Sequence, residues 1–160
     1  MRNLTIIAAI GKNNELGNNN ELIWKIPGDI KLFKENTIGK PVVMGMNTLK
    51  SLPGLLPNRK HIVLTNQEVD FDSNIIVFHN KKDLLDYITG LDEEVMIIGG
   101  AQIYSLLIEY ADKMLLTEID DTSEADTYFP KFNKDDWNNK ILGESEYQGI
   151  NYKHVEYIRK

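Results

Sequence analysis

Apolar runs rich in β-branched residues recur along the chain, at 4–10, 41–44, 61–64, 75–78, 95–98 and 113–119. Several of them, such as Val95-Met96-Ile97-Ile98, do not alternate apolar with polar side chains. A strand with one wet face alternates, so unbroken runs imply burial on both faces, as in a parallel sheet. Stretches with helical spacing lie between them. Residues 29–36, with Thr37 just beyond, place Ile30, Phe33 and Thr37 on one face. Residues 48–52 form a short segment, 81–88 carry Leu84, Leu85 and Ile88, and 102–110 carry Ile103, Leu106, Leu107 and Tyr110. Alternating strands and helices predict an α/β sheet with right-handed crossovers. The tail differs: 137–142 and 152–158 read as two strands joined by a loop holding Gly143 and Gly149, with no helix between them. They are expected as an antiparallel pair on the sheet. The Asn- and Gly-rich segment 11–21 is a long polar connection, expected to be functional or mobile.

The 160 residues suit one domain, 1–160, with one sizeable core. No apolar run approaches the roughly 20 residues that span a bilayer, so no membrane partner is expected. The first residues read as a buried strand rather than a signal peptide, because polar Asn13 and Asn14 follow and no small-residue cleavage site does. With no cysteine there is no disulfide, thiolate metal site or cysteine nucleophile, which fits a reducing cytoplasm. A net charge of −6 argues against a nucleic-acid partner. His61, His79 and His154 are scattered without metal-ligand spacing and read as surface or structural residues; no metal site is expected.

Four segments carry residues suited to chemistry. In Trp24-Lys25-Ile26-Pro27-Gly28-Asp29, Pro27 and Gly28 punctuate a helix start and Asp29 sits in its first turn. A first-turn carboxylate ordinarily stabilises a helix through the dipole. Here Phe33 lies four residues on, on the same face, and Ile30 is expected to lean inward. A carboxylate beside an aromatic suits a flat heterocycle with adjacent N–H donors, accepting two hydrogen bonds while the aromatic packs on the ring. In Val43-Met44-Gly45-Met46-Asn47-Thr48, a strand meets a glycine and then a helix start, a place for a phosphate or for simple capping. In Ile97-Ile98-Gly99-Gly100-Ala101-Gln102-Ile103-Tyr104, a buried strand runs into paired glycines and another helix start, where ligands bind in open α/β sheets. This is not the six-residue glycine fingerprint of the dinucleotide fold. In Leu56-Pro57-Asn58-Arg59-Lys60, Arg59 is either a solvated edge charge or a fork for a carboxylate. Trp24 and Tyr104 read by default as core aromatics, and Thr117 as a β-former.

Taken in order, these segments resemble bacterial dihydrofolate reductase over essentially the whole chain. The matching residues are Ile7-Ala8-Ala9, Gly17, Trp24 with Pro27-Gly28-Asp29, and Phe33-Lys34-Glu35-Asn36-Thr37. Val43-Met44-Gly45 with Thr48, and Leu56-Pro57-Asn58-Arg59-Lys60, come next. Ile98-Gly99-Gly100 with Tyr104, Leu116-Thr117-Glu118-Ile119-Asp120 and Asp126-Thr127-Tyr128-Phe129-Pro130 complete the series.

The resemblance implies a twisted, mostly parallel eight-stranded sheet with an antiparallel C-terminal strand and four flanking helices. It implies NADPH-dependent reduction of dihydrofolate to tetrahydrofolate, with hydride going to C6 and a proton to N5. Asp29 would be the only ionisable contact of the pterin, with Trp24 near the water that supplies the proton. Thr117 would hydrogen-bond Asp29 or, through water, the pterin. Ile7, Ala8, Phe33, Leu52, Leu56, Ile98 and Tyr104 would complete the substrate pocket, and Arg59 would clamp the substrate's α-carboxylate. The dinucleotide would meet Ala9, Gly45, Met46, Asn47, Thr48, Leu64, Thr65, Asn66 and His79, together with Ile98, Gly99, Gly100, Ala101, Gln102, Ile103 and Tyr104. Leu16, Gly17, Asn20 and Leu22 would lie in a loop that closes over the nicotinamide, held by Asp126. The Gly99–Gly100 peptide would be cis. Antifolate inhibitors would share the pocket, and a monomer is the default expectation.

Two departures stand out. Met46, Asn66 and Gln102 occupy positions where the family often has basic or small polar residues, and Met46 stands where an arginine is common. A dianionic phosphate favours charge-assisted bonds, so NADH is expected to be excluded less strongly than is usual. Ile23 stands where proline is usual, which leaves that loop entry less rigid. Two rivals are weighed. A reductase of another heterocycle on a related fold would lack the Trp24, Asp29, Phe33 and Arg59 set, and a non-catalytic nucleotide-binding module would have lost Asp29.

Overall fold

The computed structural model describes residues 3–19, 21–52, 56–67 and 75–160. In chain order its elements are β1 (Leu4–Ile10), β2 (Glu15–Asn18), β3 (Glu21–Leu22), α1 (Pro27–Thr37), β4 (Val42–Gly45), α2 (Met46–Ser51), β5 (His61–Leu64) and β6 (Ile75–Phe78). They continue with α3 (Lys81–Thr89), β7 (Val95–Gly99), α4 (Ala101–Leu107), β8 (Lys113–Ile119), β9 (Thr127–Tyr128), β10 (Trp137–Tyr147) and β11 (Ile150–Arg159).

Eight strands form one sheet in the order β10-β11-β8-β1-β7-β4-β5-β6. The pairings from β8 through β6 are all parallel, and β11 runs antiparallel to both β8 and β10. The expected α/β sheet and its antiparallel tail are therefore present. Both faces are covered. On one, Leu84 and Ile88 of α3 and Ile103 and Leu107 of α4 pack with Ile6, Val43 and Ile97. On the other, Phe33 of α1 and Leu49 of α2 pack with Ile7, Met44 and Met96. Double coverage is the physical reason the central strands read as unbroken apolar runs. Each large aliphatic side chain buried this way stabilises the fold by about 1.5–3 kcal/mol.

Element ends shift for identifiable reasons. α1 starts at Pro27 rather than at residue 29, because proline at the first helical position has its φ preset and needs no N–H partner. α2 begins two residues earlier than expected, directly after Gly45. α4 ends at Leu107 and tightens into a 3-10 turn over Ile108–Tyr110. Ile30, expected to lean inward, is 38% exposed; the buried line of α1 follows the four-residue spacing through Phe33 and Thr37. The tail strands are longer than read and reach a two-residue turn at Gln148 and Gly149, both with positive φ (51° and 82°). That geometry matches the twist of a hairpin.

One set of elements has no periodic signal in the sequence. β2, β3 and β9 form a second, three-stranded antiparallel sheet. Part of the polar segment 11–21 is thus ordered by pairing with β9, more than a hundred residues away.

Candidate active site

The carboxyl ends of β7, β4, β5 and β6 lie side by side, with Gly45 opposite Leu64, Leu64 opposite Phe78, and Met44 opposite Gly99. This edge gathers most of the residues expected to meet a dinucleotide. β4 and β7 each run into a glycine N-cap, Gly45 and Gly100, and neither helix start has a side-chain cap. A Cβ added at Gly100 would lie 3.5 Å from Thr48 Oγ1, so the two helix starts converge. The Gly99–Gly100 peptide is cis, and Gly99 has a φ of 113°. Such a φ favours glycine, and a Cβ there would also press on the Tyr104 ring at 3.1 Å.

Further along, the His79 Nδ1–H donates to the Thr65 carbonyl at 2.8 Å, while Asn66 is exposed beside them. Asn47 and Gln102 are exposed, and Leu64 packs against the core. Two of the expected contacts are turned away. Ile103 is buried in the core beneath Gly45. Met46 packs its side chain with the Phe33 cluster instead of standing free at the helix start. Asn20 lies outside the described residues.

The parallel pairing of β1 with β7 runs from Leu4 to Ile6. Past it, the Ile7 carbonyl accepts a 2.7 Å hydrogen bond from the Tyr104 hydroxyl. Burial, with the nearby Asp29 charge adding to it, pushes that phenol far above its ordinary value. Tyr104 thus acts as a fixed donor that ties α4 to β1. Open α/β sheets bind ligands beyond the carboxyl ends of strands, where neighbouring strands cease to pair.

Asp29 reaches the same end of the sheet from the first turn of α1. The first turn of α1 sits directly on β11, since a Cβ at Gly28 would lie 2.5 Å from the Tyr152 hydroxyl. This close approach brings Asp29 to β8, where its Oδ1 accepts a 2.6 Å bond from the Thr117 hydroxyl. Burial raises the Asp29 carboxyl above the usual carboxylate range, opposed by the Thr117 bond and by the charge of His154. Ile7, Phe33, Leu52 and Ile98 belong to one apolar cluster on this face. Ala8 packs on the opposite face with the other cluster, and Ala9 packs with Trp24 and Tyr152. Any share Ala8 has in the pocket is through its backbone.

Arg59 is locked in place. Its Nε donates to Thr37 Oγ1 at 2.8 Å, its Nη1 to the Pro57 carbonyl at 2.8 Å and its Nη2 to the Lys34 carbonyl at 3.1 Å. All three partners are neutral, and among the described residues two of the five guanidinium N–H groups have no partner. Thr37 lies two four-residue steps beyond Asp29 on α1, about 12 Å along the helix. The Leu56 N–H is bonded to His61 Nε2 at 3.0 Å, which makes His61 a structural residue of this turn.

Sequence reasoning missed several partners. The Trp24 indole N–H donates to Asp121 at 3.0 Å, so Trp24 is anchored rather than free. Buried Glu15 accepts from the backbone N–H groups of Asn13 (2.7 Å) and Ser123 (2.9 Å). Asp126 accepts from the Asn19 N–H at 2.9 Å, as expected of a residue that holds the loop. Leu16 packs on the core, Gly17 pairs within the small sheet, and Leu22 is exposed. His154, read as a surface or structural histidine, stands 2.9 Å from Thr117 Oγ1, one bond from Asp29.

Fold and site together define an α/β protein with a buried carboxylate, bonded to a strand threonine, beside the carboxyl ends of its parallel strands. The family model described as dihydrofolate reductase matches residues 3–159. Dihydrofolate reductase of Bacillus subtilis is 38% identical over 134 residues, covering 84% of this chain and 79% of that protein. Its counterpart from Buchnera aphidicola subsp. Schizaphis graminum is 41% identical over 130 residues, covering 81% and 80%. The structure of Enterococcus faecalis dihydrofolate reductase complexed with NADP(H) and RAB-propyl superposes with a TM-score of 0.87 at 30% identity, covering 98% of this chain and 96% of that one. The chain belongs to the dihydrofolate reductase family of oxidoreductases, and its activity is the reduction of dihydrofolate.

Proposed function

We propose that this chain, as one domain, reduces 7,8-dihydrofolate to 5,6,7,8-tetrahydrofolate with NADPH, and that Asp29 is the one ionisable side chain that meets the pterin. The observation that carries the role of Asp29 is its 2.6 Å bond from Thr117 beside the apolar cluster of Ile7, Phe33, Leu52 and Ile98. The Asp29 carboxylate accepts from the ring N3–H and 2-amino group and turns the ring so that its reducible edge faces the Gly99–Gly100 side. Phe33 and Leu52 pack on the ring and its linker, with Leu56 beyond. The free N–H groups of Arg59 take the α-carboxylate of the tail. A proton held near Asp29 and Trp24 reaches N5 through water.

The convergent, uncapped helix starts at Gly45 and Gly100, with the Thr48 hydroxyl between them, fit a pyrophosphate. Thr65, Asn66 and His79 line the same edge toward the adenosine end. Bound NADPH supplies the hydride that C6 receives. The NADP(H) in the Enterococcus faecalis complex supports this assignment. Antifolate inhibitors with the same donor pattern belong in the Asp29 slot. A monomer in the cytoplasm completes the reading; the cysteine-free sequence fits a reducing compartment.

Asp29→Asn tests it. Asn offers one acceptor and cannot hold the proton, so turnover at neutral pH should fall about 10²–10⁴-fold while NADPH still binds. Near-normal turnover, measured by loss of reduced-cofactor absorbance, would refute the role of Asp29. The cofactor edge carries its own expectation. Met46 is turned into the apolar cluster, and Asn66 and Gln102 offer only neutral groups. Each missing charge-assisted bond is worth about 1.5–3 kcal/mol. The ratio of kcat/KM for NADPH over NADH should therefore be no more than about a hundredfold, and a preference of several orders of magnitude would sink the idea.

A further inference from the structure

The carboxylate of Asp29 ends a chain of hydrogen bonds that starts on the last strand. Thr117 Oγ1 donates its only proton to Asp29 Oδ1 at 2.6 Å, and the same oxygen lies 2.9 Å from His154 Nδ1. A hydroxyl whose proton is committed can only accept from a second partner. His154 must therefore carry a proton on Nδ1 whenever Asp29 is ionised. The placement follows from register: β11 runs antiparallel to β8 with His154 directly opposite Thr117, so both side chains leave the same face, under the first turn of α1. The imidazole is also gripped edge-on by the Tyr152 ring, with centroids 5.5 Å apart.

We propose that His154 is a positioning residue for the reduction: by donating to Thr117 it aims the hydroxyl at Asp29 and couples the protonation of the two side chains. This rests on the role of Asp29 proposed above. Among the described residues, His154 Nε2 has no hydrogen-bond partner, so it is the atom that gains and loses the proton. The neutral ring supports the Asp29 carboxylate through the Nδ1–H dipole, and the cationic ring adds a full charge. Both favour ionised Asp29, and ionised Asp29 in turn favours the cationic ring. The effects are mutual and equal in size.

The other charges near the ring cannot replace this link. From α1 the group that meets it is Asp29, and from β8 it is the Thr117 hydroxyl. β10 places Gly143 opposite His154 and Ser145 opposite Tyr152. Farther along the same face, Glu156 pairs with Lys113 at 4.0 Å and lies opposite Lys140.

Two variants separate positioning from packing. His154→Phe keeps a ring and removes both the donor and the charge. His154→Asn retains an amide N–H near the Nδ1 position but does not titrate. In the pH profile of kcat/KM, the midpoint at which activity falls with rising pH should move up by about 0.5–1 unit in His154→Phe. Asp29 then holds its proton to higher pH. His154→Asn should restore at least half of that shift. Superimposable profiles for His154→Phe and the parent, in proteins of equal Tm, would reduce His154 to a packing residue.

An NMR titration of the His154 ring provides a readout independent of turnover, and it stands even if His154→Phe does not fold. Nδ1 should carry the proton of the neutral ring, and Asp29→Asn should lower the His154 midpoint. A neutral ring protonated on Nε2, or a midpoint unmoved by Asp29→Asn, would overturn the proposal. Failure of the Asp29 reading looks different: Asp29→Asn would stay active while the NMR coupling persisted.

Discussion

Asp29 shows how a residue suited to chemistry weakens the fold that carries it. Its carboxyl is raised above the ordinary value chiefly by burial. A carboxyl raised in the folded state binds more protons there than in the unfolded chain, so stability falls as pH rises from the unfolded value through the folded one. Asp29→Asn removes the buried charge and leaves an amide oxygen for Thr117. The variant should be more stable than the parent at pH 7–8 and should converge with it near pH 4. The rise in Tm should be about 2–4 °C for each kcal/mol of penalty removed. Thermal unfolding across that pH range checks this, and a variant less stable at pH 8 than at pH 4, relative to the parent, would contradict it. Together with the loss of turnover, this is a trade of stability for function at a single side chain.

At the scale of elements, the segment leading to Trp24 is held by acids, of which Glu15 is buried. Glu15 is 1% exposed, and its oxygens accept from Asn13 and Ser123. Burial alone would raise its carboxyl, but the backbone N–H bonds outweigh that and hold it below the ordinary value. The stabilisation is therefore present above the usual carboxylate range and is lost as pH falls through the depressed value. Glu15→Ala leaves two backbone donors without their acceptor and should cost about 1–3 kcal/mol at pH 7. The deficit should shrink in acid. Denaturant unfolding at pH 7 and in acid tests this, and hydrogen exchange at Asn13 and Ser123 localises the change. An equal deficit at both pH values would show that the charge is irrelevant. Trp24 and Asp121, and Asn19 and Asp126, add two further ties between this segment and the chain after β8.

Across the whole molecule, the C-terminal hairpin closes the sheet that carries Thr117. Trp137 is 3% exposed, with the Arg159 guanidinium 4.2 Å from its ring centroid and the Phe132 ring edge-on at 6.4 Å. Arg159 also donates to the Ala111 and Ile108 carbonyls at 2.8 and 2.7 Å, tying the end of β11 to the turn that leads into β8. Trp137→Ala should cost about 3–5 kcal/mol, read as a lower denaturation midpoint with an unchanged slope. A loss below about 1 kcal/mol would show that the clasp contributes little. Because β11 carries His154 and Tyr152 beneath α1, loosening this edge should disturb Asp29 more than the cofactor edge on β4 to β7.

Much of this architecture was legible in the residues themselves. Unbroken apolar runs marked β1, β4, β5, β6, β7 and β8, because a strand covered on both faces has no reason to alternate. Pro27 and the four-residue step from Asp29 to Phe33 marked the helix that bears the acid, because those signals are local to one turn. The pairing of Glu15 and Gly17 with β9, the anchoring of Trp24 by Asp121, the inward turn of Met46 and the contact of His154 with Thr117 were not legible. Periodicity tells which face of its own element a residue occupies, and nothing about what lies across from it. The partner across β8 depends on the register of β11 on β8, which runs unbroken from Tyr152 opposite Ile119 to Ile158 opposite Lys113 and which no pattern within either strand specifies. A slip of one residue would have turned His154 to the opposite face and left Asp29 with Thr117 alone.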